Sequence, residues 1–202
     1  GGGVEGWRTG DRVVAEANYE VCGACRYCAS GFYNLCASRK VLGYWYDGAF
    51  ARYTVVPARR VHRLPAGIGF PAGALIEPTA CVVHGMCELI SIAPGDVVLV
   101  TGPGAIGLTA LQVAKAAGAK VIVSGTADDR TRLELAAKLG ADATVDVATD
   151  DLAKTVHELT AGTGVDVAVE CAGNDRAVRS AIDALRRQGQ FLQLGLLGRA
   201  MQ

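Results

Sequence analysis

The chain has no excess of charge of either sign: 20 basic residues balance 20 acidic ones, and the formal net charge is zero. That balance argues against nucleic acid or an anionic membrane surface as the main partner. The first eleven residues lack both a basic start and an apolar stretch, so no secretory leader is expected. Nothing in the composition suggests an oxidising compartment, and a cytoplasmic location is expected. One run is long enough to pass for a membrane span, because residues 97–114 carry no charge. Gly102-Pro103-Gly104 interrupts it, and Val97, Val98 and Val100 favour a strand. It therefore reads as a buried strand, a turn and a buried helix end to end.

Against those absences stands a dense group of cysteines. Cys22, Cys25, Cys28 and Cys36 fall within fifteen residues, spaced C-x2-C-x2-C-x7-C. Four thiolates held this close are a ligand set for tetrahedral zinc. The segment has small residues and glycines for tight turns and no apolar periodicity, so a metal would serve as its core. All four ligands come from one short segment with no open position evident, which reads as a closed, structural site. Two disulfides or a redox Cys-x-x-Cys are the alternatives. The other cysteines, Cys81, Cys87 and Cys171, lie singly among apolar residues and read as small buried hydrophobes.

The pattern changes near Pro94-Gly95-Asp96. Before it, short strands are expected at residues 12–16, 49–56 and 61–64, punctuated by Gly and Pro, as in part of a β-barrel-like domain. Residues 72–90 are expected to be partly helical. After it, strands (97–101, 120–124, 143–145, 165–171, 190–195) alternate with helices (105–117, 129–139, 150–161, 175–188). Gly118, Gly140, Gly162 and Gly189 are the expected helix stops, and Asp128, Thr149 and Asn174 the expected N-caps. Val178, Ala181, Ile182 and Leu185 should form the apolar face of the last helix. Such alternation specifies an α/β fold, a doubly wound parallel sheet with helices on both faces. The boundary between the two domains is placed after Glu77, giving domains of residues 1–77 and 78–202.

Gly102-Pro103-Gly104-Ala105-Ile106-Gly107 is a G-x-G-x-x-G string between a strand and a helix, the context that makes it specific for a dinucleotide. Gly102 allows the turn, Gly104 the approach of a pyrophosphate, and Gly107 the packing of helix on strand. The helix N-terminus would face the phosphates. A tight turn with no ligand is the alternative. At the end of the second strand, where an acid would read the adenosine ribose of NAD, stands Gly125. Thr126, Arg130 and Arg132 could instead hold a phosphate, whereas Asp128 and Asp129 argue the other way. The expectation is tolerance of, or preference for, NADP. Cys171-Ala172-Gly173 and Leu194-Gly195-Leu196 follow strand C-terminal ends and are expected beside the cofactor.

Taken together, the order of cysteine lobe, strand series and glycine turn resembles the zinc-containing medium-chain dehydrogenases, over essentially the whole chain. Gly10-Asp11-Arg12-Val13-Val14 resembles the family's GDRV strand, and Asp47-Gly48-Ala49-Phe50-Ala51 its DGAFAEY segment. Glu77-Pro78-Thr79-Ala80-Cys81-Val82-Val83-His84 is similar to the EPLACAVH segment of the sorbitol (L-iditol) dehydrogenase branch. Residues 165–173 match its VDVVIECAG strand. The resemblance implies part of a GroES-like domain followed by a Rossmann domain lacking its last strand. It also implies one structural and one catalytic zinc, and hydride transfer between an alcohol or polyol carbon and NAD or NADP. A homo-oligomer is implied for the intact enzyme.

The same resemblance places the family's catalytic Cys and Gly-His-Glu motif upstream of Gly1. The chain thus reads as an internal piece of an enzyme nearly twice its size, expected to turn over no substrate alone. None of the three histidines stands in such a motif. His62 and His157 read as structural or solvated, and His84 as a packing residue. Glu77 is the one catalytic-site residue implied here, a carboxylate on the catalytic zinc or one water away from it. A helix-start acid favoured by the dipole is the alternative. Two further readings stay open: a zinc-free reductase resembling quinone oxidoreductases, which generally lack the cysteine lobe, and a noncatalytic zinc- or dinucleotide-binding protein.

Overall fold

The computed structural model describes residues 3–198. It divides into two compact units between Glu77 and Pro78.

The first unit holds two small antiparallel pairs. Strand β1 (Val13–Ala15) pairs with β4 (Val61–Arg63), and β2 (Asn18–Glu20) with β3 (Lys40–Val41). Between β2 and β3 the chain makes the cysteine lobe, with helix α1 (Arg26–Ala29) and a 3-10 turn at Tyr33–Leu35. Polar clusters tie these pieces together. Lys40 Nζ lies 3.1 Å from a Glu20 oxygen that also accepts the Tyr46 hydroxyl, and Tyr46 stacks on Tyr19. Arg60, almost fully buried, bonds Glu16 at 3.1 Å and lays its guanidinium over the Tyr33 ring, linking lobe to strands.

The strand expected at residues 49–56 does not form. A strand needs a neighbour for its N–H and C=O groups, and among the described residues this segment has none. Phe50, Tyr53 and Val55 are left in solvent. Helix α2 (Phe70–Gly73) and helix α3 (Ile76–Val83), followed by a π-helical turn at His84–Leu89, supply the partial helicity expected of residues 72–90.

The second unit is built on parallel strands β5 (Val97–Thr101), β6 (Lys120–Gly125), β7 (Ala143–Asp146), β8 (Val165–Glu170) and β9 (Leu185–Gln193). Their order in the sheet is β7-β6-β5-β8-β9. Alternate residues serve opposite faces. Val98, Val100, Val121, Val123, Val167 and Val169 pack with helices α4 (Ala105–Ala116) and α5 (Arg130–Lys138) through Ala110, Leu111, Ala114, Leu133 and Ala136. Leu99, Ile122, Val145 and Ala168 pack with helices α6 (Leu152–Thr160) and α7 (Asp175–Asp183) through Val156 and Ala181. This is a sheet apolar on both faces, as a doubly wound fold requires. The charge-free run of residues 97–114 is strand β5, a turn and helix α4, and no helix among the described residues is long and apolar enough to cross a membrane.

Several boundaries differ from expectation. Helix α7 stops at Asp183, five residues early, because β9 begins at Leu185. Gly164, at positive φ, lets the chain come against residues 184–186; a Cβ there would lie 2.7 Å from the Arg186 amide nitrogen. Gly189 therefore sits inside β9 and is no helix stop, and Ile182 is exposed. Gly118, Gly140 and Gly162 do take positive φ after their helices. Asn174 caps α7 as expected, accepting from the Ala177 N–H at 3.0 Å. Asp151 rather than Thr149 caps α6, and Thr126 with Asp129 forms a capping box where Asp128 was expected. Cys81 and Cys87 are exposed, not buried; the apolar run around them lies on helical turns whose inward face is Val82 and Met86.

Candidate functional site

The cysteine lobe gathers its four sulfurs to within 4.8 Å of one another. Zinc bound by four thiolates at about 2.3 Å places neighbouring sulfurs about 3.8 Å apart, and Cys22 Sγ and Cys28 Sγ stand at 3.9 Å. Local folding delivers each ligand. Cys22 follows β2, Cys25 starts α1, Cys28 lies within it, and Cys36 follows the 3-10 turn. Backbone N–H groups point at the sulfurs, Cys25 N–H to Cys22 Sγ at 3.3 Å and Cys22 N–H to Cys36 Sγ at 3.5 Å. The amides of Ala24 and Cys25 pull the Cys22 thiol down to about 6, while burial, with its neighbouring thiols, pushes Cys28 up to about 12. All seven cysteines lie among the described residues and are free thiols. A single tetrad, not two pairs, suits a tetrahedral divalent cation.

The glycine turn sits at the C-terminal edge of the sheet. Gly102 adopts φ +87°, and a Cβ there would lie 2.8 Å from Ala172. A Cβ on Gly107 would fall 2.0 Å from the Gly102 carbonyl oxygen, so helix α4 approaches β5 only because that atom is missing. Gly104, the N-cap of α4, faces open space. Beyond it lies a groove of about 1030 Å³, lined by Gly102, Gly104, Gly125, Thr126, Cys171 and Ala172 among others. Thr101, 3% exposed, also lines it with a hydroxyl that has no protein partner, a group suited to meet a polar ligand or water. The groove's polar floor and free helix N-terminus fit a dinucleotide pyrophosphate.

The remaining expected cofactor residues lie outside the lining. Ala105 opens helix α4, and Ile106 and Leu194 pack into the core. Gly173, at positive φ, and Gly195 press together behind the turn. Arg130 is exposed and does not line the groove; Arg132 does.

One functional residue was missed. Glu170 is fully buried at the end of β8 and accepts the N–H groups of Ala172 and Gly173, each at 2.8 Å, while Gln193 of β9 donates to its other oxygen. It fixes the turn that forms one wall of the groove. The signal was present as an acid closing the otherwise apolar half of the strand sequence VDVAVE, after Val167-Ala168-Val169. Burial, reinforced by Glu170, pushes the Cys171 thiol up to about 12, so it is no nucleophile at neutral pH.

Glu77 is exposed in the first turn of α3. Among the described residues the cysteine tetrad is the only cluster of metal-ligating side chains, and no second one gathers around Glu77. These residues do not by themselves make a catalytic metal centre. His84 is half-exposed and pairs with Glu88 at 2.7 Å instead of packing, and His62 pairs with Glu16 at 2.9 Å.

A parallel sheet with a phosphate-binding glycine turn, in one chain with a four-thiolate lobe, defines a protein that handles a dinucleotide and a divalent metal. The family model described as zinc-binding dehydrogenase matches residues 105–202, and that described as alcohol dehydrogenase GroES-like domain matches residues 1–66. The chain belongs to the zinc-binding, medium-chain alcohol dehydrogenase family. It is 47% identical over 196 residues to the sorbitol dehydrogenase of Halalkalibacterium halodurans, covering 97% of this chain and 57% of that protein. It is 42% identical over 201 residues to the D-arabitol-phosphate dehydrogenase of Enterococcus avium, covering 100% and 57%. A zinc-binding dehydrogenase of Sinorhizobium meliloti 1021, solved bound to NADP, superposes with a TM-score of 0.87 at 34% identity, covering 98% of this chain and 58% of that one. The chain thus spans a little over half the length of the curated relatives it matches.

Proposed function

We propose that the whole protein is a zinc-dependent NAD(P) oxidoreductase that moves hydride between a secondary alcohol or polyol and a nicotinamide cofactor. The observation that carries this reading is the gathering of four sulfurs within 4.8 Å in the same chain as the open groove at Gly104. A zinc-free reductase has no use for the first, and a simple zinc-binding module has none for the second. The names of the two curated relatives support a polyol as the substrate class.

The residues take the following roles. Cys22, Cys25, Cys28 and Cys36 hold a structural zinc. The N-terminus of α4, opened by Gly104, receives the pyrophosphate. Glu170 holds the Cys171–Gly173 turn against the cofactor. Bound nicotinamide supplies the hydride acceptor. Glu77 is assigned to the alcohol site on its Glu-Pro motif, as a hydrogen-bond acceptor. The boundary between a GroES-like domain of residues 1–77 and a Rossmann domain of residues 78–202 is part of the same reading. So are a homo-oligomeric state, which rests on the family pattern, and a cytoplasmic location, favoured by seven free thiols.

The test uses the full gene product. Oxidation of sorbitol or a related polyol with NAD⁺ or NADP⁺ is expected, and Glu77→Ala should lower it while the structural zinc stays bound. Absence of turnover with any polyol and either cofactor overturns the activity. Unchanged turnover in Glu77→Ala removes that residue from the site.

A further inference from the structure

The cofactor groove carries a second reading at its adenosine end, which rests on the dinucleotide function proposed above. An NAD-selective site presents a carboxylate from the end of the second strand to the ribose hydroxyls. Here that position is Gly125, and it has no room for a side chain. A Cβ would lie 2.9 Å from Pro103 Cδ and 3.1 Å from Asp129 Cβ.

The nearest acid in the groove is Asp129, and its acceptor sites face inward. Its Oδ2 takes the Thr126 N–H and hydroxyl, each at 3.1 Å, and its Oδ1 takes Arg132 at 2.8 Å. The carboxylate side chain is only 19% exposed. Burial alone would raise its pKa, but the Thr126 amide and the Arg132 guanidinium outweigh burial and hold it below the usual carboxylate range. Asp129 is therefore an anion committed to its own loop. Arg132 is the opposite case. Its side chain is 61% exposed and lines the groove, and one of its five N–H donors suffices for the bond to Asp129.

We infer that Arg132 is the specificity-determining residue for a phosphate on the adenosine 2′ position, with Asp129 as the positioning residue that holds it at the groove, so that the site selects NADP over NAD. A planar guanidinium with free donors matches a phosphate in both charge and geometry. The ribose diol of NAD finds no carboxylate at Gly125, and the groove's other acids are engaged by their own loop, Asp150 with the Asp146 N–H and the Thr149 hydroxyl and Asp151 with the Lys154 N–H. Arg176 lines the same groove from α7, after the β8 turn rather than the β6 turn, and serves as the control cation.

The test is a calorimetric titration of the full gene product with NADP⁺, NAD⁺, 2′,5′-ADP and 5′-AMP, in wild type and in Arg132→Ala, Arg132→Lys and Arg176→Ala. Wild type should bind NADP⁺ tighter than NAD⁺, and 2′,5′-ADP tighter than 5′-AMP. Arg132→Ala should weaken NADP⁺ and 2′,5′-ADP roughly tenfold to a hundredfold, the range for charge-assisted bonds, and shift NAD⁺ less than about twofold. Arg132→Lys should fall between. NADP⁺ binding should weaken with salt more steeply than NAD⁺ binding. Equal losses for both dinucleotides in Arg132→Ala, or loss of the preference in Arg176→Ala instead, overturn the inference and leave the dinucleotide reading standing. Equal or tighter binding of NAD⁺ by wild type does the same. Binding of neither dinucleotide overturns both.

Discussion

In the unit after Glu77, every strand residue from Val97 to Val100 is buried, and both faces of the sheet are covered by helices. In the unit before it, the paired strands are two or three residues long, and Tyr44, Trp45, Phe50 and Tyr53 stand in solvent. The second unit is stabilised by apolar burial along a continuous sheet. The first relies on polar clusters such as Glu20–Lys40–Tyr46 and on whatever holds its four sulfurs together. The two halves of one chain thus teach different lessons about order. A core made of methyl groups is written along the whole sequence, while a core made of one metal ion is written in four letters.

The largest expected effect breaks this contrast open. Structural zinc in small sites is worth about 10–16 kcal/mol, more than the stability of most domains. A strong chelator should abolish amide protection across Cys22–Cys36 in hydrogen exchange, while amides of β5, β6 and β8 keep theirs. Cys28→Ser should lower the metal count by one ion per chain. Loss of protection in both units at once would show that the contrast is wrong.

The converse perturbation strikes the apolar core. Ile122→Ala removes a fully buried side chain from the centre of the sheet and should cost about 2–5 kcal/mol in urea denaturation. Zinc content should stay at the wild-type value. Metal loss in this variant would mean that the lobe depends on the sheet.

A finer cut separates packing from ligand binding within the second unit. Gly107→Ala forces a methyl into the Gly102 carbonyl, 2.0 Å away, so helix α4 must retreat from β5. The expected cost is about 1–3 kcal/mol of stability and a larger fractional loss of dinucleotide affinity, because the displaced helix N-terminus is the phosphate site. Isothermal titration beside thermal melting reads both; an unchanged affinity would argue against the turn as the cofactor cradle.

How much of this was visible in the sequence follows the same division. The strand at Val97–Thr101 and the start of α4 at Ala105 were legible to the residue, because a continuous run of mostly β-branched apolar residues gives way to glycines with distinct geometric reasons. The cysteine tetrad was legible from spacing alone. What escaped depended on partners. Residues 49–56 have strand composition but no neighbouring strand to complete them among the described residues. Cys81 and Cys87 sit in an apolar run but on its outward side. The end of α7 depended on Gly164 admitting β9 early, a contact between residues far apart in sequence. Glu170 showed only as an acid closing an apolar strand; which groups it satisfies, the amides of Ala172 and Gly173, is decided by the turn that follows it.

The smallest effect tests whether electrostatics at the sheet's other end follows the same logic. Asp166 accepts the Val97 N–H at 2.8 Å and Arg186 Nε at 2.6 Å, stitching β5, β8 and β9 together where the strands begin. Burial disfavours its charge, but the Val97 amide and Arg186 prevail and hold its pKa below the usual carboxylate value. A carboxyl whose pKa is depressed on folding adds stability above its unfolded pKa of about 4 and loses it as pH falls through the folded value. Asp166→Asn should therefore lower stability at pH 7 by about 1 kcal/mol, since Arg186 is partly solvated and screened. The deficit should shrink as pH drops below about 4, with the zinc lobe's exchange protection unchanged. A deficit that stays constant from pH 7 to pH 3 would assign the effect to lost packing rather than to charge.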